Sequence, residues 1–175
     1  MPTDWETALK AVFSGLRAAA PQAWILSGRN TNEGAFLFAR LAKYISAQSA
    51  LEVFYREREL TEVEKILKSP DRSPNFRGAR DMGVSSNGDF EMLLRRLLEG
   101  KFHSAYIVGE DPVSQLPEGE KIKSVLEKLS FLVVQDIHLS ATARLAHVVL
   151  PATHFAEKEG TYTNRRGRVQ RVRAA

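Results

Sequence analysis

Short, nearly continuous apolar segments alternate along this chain with segments whose apolar residues recur at helical spacing. The apolar segments of strand length lie at residues 23–28, 51–55, 104–108, 131–135 and 147–150. Strands that are apolar on both faces are typical of a parallel sheet covered by helices on both sides. Because right-handed crossovers join such strands, the alternation predicts an α/β fold, a Rossmann-like three-layer sandwich with a mainly parallel sheet of about five strands.

The segments around these strands have the apolar periodicity of amphipathic helices. Helices are predicted near residues 5–16, 32–47, 62–67, 90–98, 122–129 and 141–145. Polar side chains ahead of three of them can accept hydrogen bonds from the first free backbone N–H groups. The candidates for these caps are Thr3 or Asp4, Thr31 or Asn32, and Ser86 or Asn87. Residues 68–75 are polar and interrupted by proline, so a loop is predicted there.

The excess positive charge is confined to the C-terminal end of the chain. Lys and Arg number 25 against 21 Asp and Glu, but five arginines follow Thr163 with no acidic residue among them. They are Arg165, Arg166, Arg168, Arg171 and Arg173. Nucleic-acid phosphates are usually bound by a basic face or stripe, so nucleic acid is not an expected partner. We expect one domain over residues 1–163 and a basic C-terminal exit segment over residues 164–175, which suits phosphates, an acidic partner surface or a solvated strand.

The residue inventory excludes several kinds of reactive site. The chain has no cysteine, so disulfides, thiolate nucleophiles and cysteine-held iron–sulfur clusters cannot form within it. The histidines lack a carboxylate at ligand spacing, and the glycine triplet of dinucleotide sites, the phosphate loop and the serine nucleophile turn are missing. No catalytic residue and no metal ligand are therefore predicted.

Nothing in the sequence indicates direct insertion into a membrane. No apolar run approaches the roughly 20 residues that a membrane-spanning helix needs. Residues 1–16 carry acidic side chains where a signal peptide would be basic and then apolar. We therefore expect a cytoplasmic chain.

Three loops are expected to meet at one edge of the sheet. Ligands of open parallel sheets bind at the carboxyl ends of the strands, and the segments that follow three of the predicted strands are residues 28–30, 109–112 and 136–138. The second contains the acidic pair Glu110 and Asp111, which can orient a ligand or cap the turn that follows through its backbone amides. Pro112 favours the turn.

Four motifs follow one another between residue 105 and the end of the chain. They are residues 106–112 (YIVGEDP), residues 133–137 (VVQDI) with Thr142 and Ala143, residues 145–151 (LAHVVLP), and residues 157–164 (EKEGTYTN). In this order and spacing they resemble the molybdopterin oxidoreductase family, and residues 75–84 (NFRGARDMGV) extend the resemblance upstream. His147 departs from the aspartate that the family usually has there, and the cysteine-rich cluster-binding segments of full-length members are missing. The resemblance therefore implies an inner domain of a longer subunit.

Two branches of the family are compatible with these motifs. Residues 77–83 (RGARDMG) and 164–170 (NRRGRVQ) are most similar to the large iron–sulfur subunit, or G subunit, of NADH-quinone oxidoreductase (complex I). This branch implies a structural domain without a cofactor, in a parent subunit with iron–sulfur clusters that passes electrons from NADH to quinone. The other branch, formate dehydrogenase-like and nitrate reductase-like enzymes, implies binding of molybdopterin guanine dinucleotide. A stand-alone nucleotide-binding or regulatory module is a third possibility.

The resemblance also implies site residues and partners. If a pterin dinucleotide binds, Gly109, Glu110 and Pro112 are expected near it, with Asp136 and Thr142 as its nucleotide contacts. The implied partners are other domains and subunits of a respiratory or formate-oxidising complex. Through that complex the chain would lie peripheral to the inner membrane.

Overall fold

A five-stranded parallel sheet forms the centre of the molecule. The computed structural model describes residues 2–55, 60–68, 73–85 and 89–175. The strands of the sheet are β1 (Gln22–Ser27), β2 (Ala50–Phe54), β3 (Ser104–Val108), β4 (Phe131–Asp136) and β5 (Val148–Pro151). They lie in the order β2-β1-β3-β4-β5, and every adjacent pair is parallel. The predicted Rossmann-like α/β sandwich is confirmed.

Helices cover both faces of the sheet. They are α1 (Trp5–Ala18), α2 (Asn32–Ile45), α3 (Glu62–Leu67), α4 (Phe76–Asp81), α5 (Phe90–Leu98), α6 (Pro112–Gln115) and α7 (Gly119–Leu126), with short 3₁₀ turns at Ala143–Leu145 and Phe155–Glu157. In β1, Trp24 and Leu26 pack with α1, α2 and α4, whereas Ala23 and Ile25 pack with α5 and α7. Burial on both faces explains why the strands are apolar at nearly every position. No helix in the described part of the chain has the length and apolar content needed to cross a bilayer.

Two of the three predicted helix caps are present, and the third is corrected. Asp4 accepts a hydrogen bond from the Thr7 amide at 2.8 Å, and Thr31 accepts one from the Gly34 amide at 3.2 Å, as expected. The cap of α5 is Asp89, which accepts from the Met92 amide at 2.8 Å, so the predicted Ser86 or Asn87 was wrong. Residues 86–88 lie outside the described residues. The helix begins at Phe90, the first residue of its apolar stripe, so the capping residue is the one directly before it, Asp89.

Other boundaries also differ from the prediction. The last strand of the parallel sheet covers Val148–Pro151 instead of residues 147–150. In place of the helix predicted at residues 141–145 there is only the 3₁₀ turn at Ala143–Leu145. Part of the predicted loop at residues 68–75 lies outside the described residues, and α4 follows it at Phe76. This helix was not predicted because its six residues contain a glycine and several charged side chains and carry no apolar stripe.

A small antiparallel hairpin follows the sheet. Its strands are β6 (Gly160–Thr163) and β7 (Val169–Val172), and Thr163 pairs with Val169 next to the turn. The division predicted between residues 163 and 164 lies at the beginning of this turn. The basic segment therefore pairs with the strand before it.

Buried carboxamides attach the hairpin to the helical layer. Asn32 donates from Nδ2 to the hydroxyls of Thr161 and Thr163 at 3.1 and 3.0 Å. Asn75 accepts from the Thr163 amide at 2.6 Å and donates to the Asn30 carbonyl at 2.8 Å. Both carboxamides lie against Gly78 of α4, where a Cβ atom would overlap their Oδ1 atoms. The packing of the hairpin thus requires a residue without a side chain at position 78.

Gly78→Ala is expected to destabilise the fold by at least about 2 kcal/mol, because the new methyl group must displace two hydrogen-bonded carboxamides. The matched control is Gly34→Ala in α2, where the added Cβ would lie 3.4 Å from the Thr31 hydroxyl, an ordinary contact. Alanine is the better helix former, so this variant should gain up to about 1 kcal/mol. Urea unfolding followed by circular dichroism measures both changes. Equal stability of the two variants would contradict the packing role of Gly78.

Candidate functional site

The strand order reverses between β1 and β3, and a cavity lies at this point. Chain connections leave β1 in one direction and β3 in the other, which opens a crevice outside their carboxyl ends. The cavity has a volume of about 550 Å³ and is lined by the residues that follow β1, β3 and β4 and by part of residues 152–158. We call it the edge cleft. Its position is the one at which open α/β sheets bind ligands.

The edge cleft brings together three of the five residues that the resemblance implied. Gly109, Glu110 and Asp136 line it. Pro112 and Thr142 are buried and are not among its lining residues. Their predicted contact with a nucleotide has no counterpart among the lining residues.

Gly109 lets two loops of the cleft approach each other. Its φ of +71° lies in the left-handed region, where a side chain would be strained. A Cβ atom at this position would also lie only 3.1 Å from the Cβ atom of Ser27. The loops after β1 and β3 can therefore pack closely at the floor of the cleft.

Glu110 places a buried carboxyl group in the wall of the cleft. The residue is 5% exposed, and its Oε1 accepts a hydrogen bond from the Ser27 hydroxyl at 2.5 Å. The Arg29 guanidinium lies 3.9 Å from the same oxygen. Burial raises the pKa of Glu110 above the usual glutamate value, and the hydrogen bond from Ser27 and the charge of Arg29 offset only part of this rise. Glu110 is therefore a group whose protonation a ligand in the cleft can change.

Asp111 holds the loop that follows β4. Its carboxylate accepts hydrogen bonds from the Thr142 hydroxyl at 2.5 Å, the Thr142 amide at 3.0 Å and the Ala141 amide at 3.3 Å. Burial alone would raise the pKa of Asp111, but the hydrogen bonds from Thr142, Ser114 and Ala141 outweigh it and lower the pKa. The predicted capping of the turn that follows was wrong, because the Asp111 side chain makes no cap hydrogen bond with α6. Its carboxylate instead accepts from backbone amides of a loop about 30 residues away in the sequence.

Asp136 presents a carboxylate at the end of β4. Its Oδ1 accepts a hydrogen bond from the Ile137 amide at 2.7 Å. The Oδ2 atom makes no hydrogen bond with the described residues. An aspartate with an open oxygen can accept hydrogen bonds from adjacent N–H groups of a ligand, such as the amino-imino edge of guanine.

Arginine, lysine and histidine side chains that were not predicted as site residues also line the cleft. They are Arg29, His138, His154 and Lys158. Arg29 and His138 belong to segments predicted to form the ligand edge, so their position was available from the sequence. His154 and Lys158 follow β5 and reach the cleft only because residues 152–158 fold back over the sheet edge. Nowhere in the described ranges do three or more His, Asp or Glu side chains form a group able to hold a metal ion.

Asp111→Asn is expected to destabilise the protein at neutral pH by about 1–2 kcal/mol, because an amide cannot accept all the hydrogen bonds that the carboxylate accepts. Since folding lowers the pKa of Asp111, its stabilising contribution is complete above the unfolded-state pKa near 4 and is lost as the pH falls through the folded-state pKa. The difference between variant and wild type should therefore shrink in acid. Thermal unfolding between pH 7 and pH 3 measures it, with the exposed Asp81→Asn as control. A difference that grows toward low pH would refute this assignment.

Comparison with known proteins gives relatives among oxidoreductase subunits. The chain is 40% identical over 91 residues to the NADPH-Fe(3+) oxidoreductase subunit alpha of Geobacter sulfurreducens, an alignment that covers 52% of the chain and 11% of that protein. It is 53% identical over 70 residues to the F420-dependent formate dehydrogenase subunit alpha of Methanocaldococcus jannaschii, covering 40% and 10%. It is 40% identical over 85 residues to an NADH-quinone oxidoreductase G subunit of Rhizobium meliloti, covering 49% and 10%. The chain thus spans about a tenth of the length of these relatives.

A family model covers most of the chain. The model of the molybdopterin oxidoreductases matches residues 30–175, which include α2 and every later element of the structure, four of the five strands of the sheet among them. The match confirms the resemblance first seen in four motifs. The chain therefore belongs to the molybdopterin oxidoreductase family.

Proposed function

We propose that this chain is a structural domain of an electron-transfer oxidoreductase whose parent protein resembles the G subunit of NADH-quinone oxidoreductase. In this role the domain carries no electron itself. The parent would pass electrons from NADH to quinone through iron–sulfur clusters held elsewhere. Its partners would be the other domains and subunits of a respiratory complex in the cytoplasm, peripheral to the inner membrane.

The observation that carries this proposal is a fold without cysteine whose distant segments are joined by buried hydrogen bonds. Iron–sulfur clusters are held by cysteine thiolates, and none of the 175 residues is cysteine. The buried carboxamides of Asn32 and Asn75 join segments that lie 88 or more residues apart in the sequence. Residues so connected suit a rigid support for neighbouring domains. The stretch NRRGRVQ at residues 164–170 supports the complex I branch.

The test is to purify the native assembly through a tag on this chain. We expect NADH-dependent quinone reduction and stoichiometric iron in the assembly, with molybdenum and tungsten below stoichiometric amounts in elemental analysis. We expect that the chain alone does not oxidise NADH, because its sequence lacks the glycine triplet of dinucleotide-binding sites. Stoichiometric molybdenum or tungsten in the assembly would overturn the proposal.

A second candidate function has its own support in the edge cleft. In formate dehydrogenase-like enzymes a guanine dinucleotide pterin carries the molybdenum or tungsten that supplies the redox chemistry. The lining of the cleft fits the guanine end of such a group. Asp136 has a carboxylate oxygen that makes no hydrogen bond with the described residues, and it lies beside a cavity of about 550 Å³. The left-handed Gly109 keeps side-chain atoms out of the floor of the cleft. In this alternative Asp136 would hold the base, while Asp111 would keep the neighbouring loop in place.

Guanosine diphosphate is the probe for this alternative, with adenosine diphosphate as its comparison. The carboxylate of Asp136 can accept hydrogen bonds from N1–H and the amino group of guanine, whereas adenine has no N1–H donor. If the alternative holds, Asp136→Asn should weaken the binding of guanosine diphosphate by about tenfold in calorimetric titrations and leave that of adenosine diphosphate unchanged. Glu127→Gln, an exposed substitution at the end of α7, is the control for the loss of charge. Equal affinities for the two nucleotides would contradict base recognition by Asp136.

A further inference from the structure

A second cavity, of about 440 Å³, lies beside α2. We call it the α2 cavity. It shares a wall with the edge cleft, because Asn30, Gln135, Thr153 and Lys158 line both. Its volume is that of a site for a small molecule.

The α2 cavity is polar at one end and apolar at the other. The polar side chains lie mostly in the wall shared with the edge cleft. The rest of the lining is largely apolar and comes from Leu26, Leu37, Phe38, Leu41, Tyr106 and Pro151. Leu37 is 65% exposed and Leu41 38% exposed, so the apolar part continues onto the surface of α2. A ligand that matches this cavity has a polar head and an apolar body.

Lys158 determines the charge of that head. Among the described residues it is the only charged one that lines the α2 cavity, and no ion pair within the described ranges includes it. The residue is half-buried, and burial lowers the pKa of its ammonium group. A cation that has lost water without gaining a counter-ion is stabilised by a bound anion.

A second donor lies near the same end. The hydroxyl of Tyr106 donates to Oε1 of Gln135 at 2.8 Å. This bond orients the carboxamide and occupies its oxygen. The Nε2 atom of Gln135 makes no hydrogen bond with the described residues, so it can donate to a ligand. An ammonium group and an amide N–H in one wall are suitable donors for a carboxylate.

We propose that the α2 cavity binds a small amphipathic carboxylate, with its head at Lys158 and Gln135 and its hydrocarbon chain along Leu37 and Leu41. A medium-chain fatty acid has the required chemistry. Asp136, the proposed guanine contact, lines only the edge cleft, whereas Lys158 and Gln135 lie in the wall that the two cavities share. The carboxylate would therefore approach the edge cleft only at this shared wall.

The protein contains a natural reporter for this site. The Trp24 ring lies 5.3 Å, between ring centroids, from both Phe38 and Tyr106, which line the α2 cavity. The other tryptophan, Trp5, is exposed on α1 and can be replaced by phenylalanine. In the Trp5→Phe background the tryptophan fluorescence comes from Trp24 alone.

The experiment titrates octanoate and 1-octanol into this background and follows the fluorescence of Trp24. Octanoate should bind saturably and more tightly than octanol. Lys158→Gln should weaken octanoate binding by about tenfold and leave octanol binding unchanged, because only octanoate uses the charge. Lys158→Arg should retain octanoate binding. Leu37→Ser, at an exposed position, should weaken both ligands.

The control for net charge is Lys128→Gln, an exposed lysine beyond α7, which should change neither affinity. Circular dichroism of each variant verifies that it is folded. The proposal is overturned if octanoate causes no saturable change, if Lys158→Gln binds octanoate as tightly as the parent, or if Leu37→Ser affects neither ligand. It is equally overturned if Lys128→Gln weakens octanoate binding as much as Lys158→Gln does.

Discussion

The carboxamide of Asn75 connects segments that are far apart in the sequence. This fully buried side chain bonds the loop after β1 through the Asn30 carbonyl and the hairpin through the Thr163 amide. The backbone amide of Asn75 donates to the Gly28 carbonyl at 2.9 Å. A buried amide must satisfy its hydrogen-bonding groups, so these partners are held together strongly. Asn75 therefore holds the loop after β1, which contains Arg29 of the edge cleft, through bonds to the residues on either side of Arg29.

Two adjacent carboxylates show how local surroundings divide one acidic pair into different roles. Glu110 is buried with one hydroxyl donor, and desolvation raises its pKa. Asp111 accepts several hydrogen bonds, which lower its pKa in spite of burial. Sequence proximity therefore does not imply a shared function. Both residues line the edge cleft, but the carboxylate of Asp111 is occupied by the loop that follows β4.

The parts of the fold that were predictable are those determined by solvent exclusion over many residues. Both faces of β1 are buried, so Ala23, Trp24, Ile25 and Leu26 form an apolar run that the sequence displays directly. The cluster at the strand ends was predictable for a different reason: parallel strands carry the loops that follow them to one edge of the sheet. Individual contacts were not predictable: Asp111 finds its partners about 30 residues away, and Lys158 reaches the cleft through a segment without regular pattern. Such contacts depend on how irregular segments pack, which periodicity does not describe.

Two of the arginines near the C-terminus lie in or directly after β7 and affect how its edge can pair with another molecule. β6 and β7 form a sheet of only two strands in the described part of the chain. The Thr161 and Thr163 amides of β6 donate to Glu33 and Asn75, so the edge left without a strand partner among the described residues is that of β7. Such an edge can recruit a strand from another molecule, and charged side chains oppose that pairing. Arg171 lies within β7 and Arg173 directly after it. These charged side chains thus disfavour pairing of the β7 edge with a strand of another molecule, and Arg171 also forms an ion pair with Glu159 at 2.9 Å.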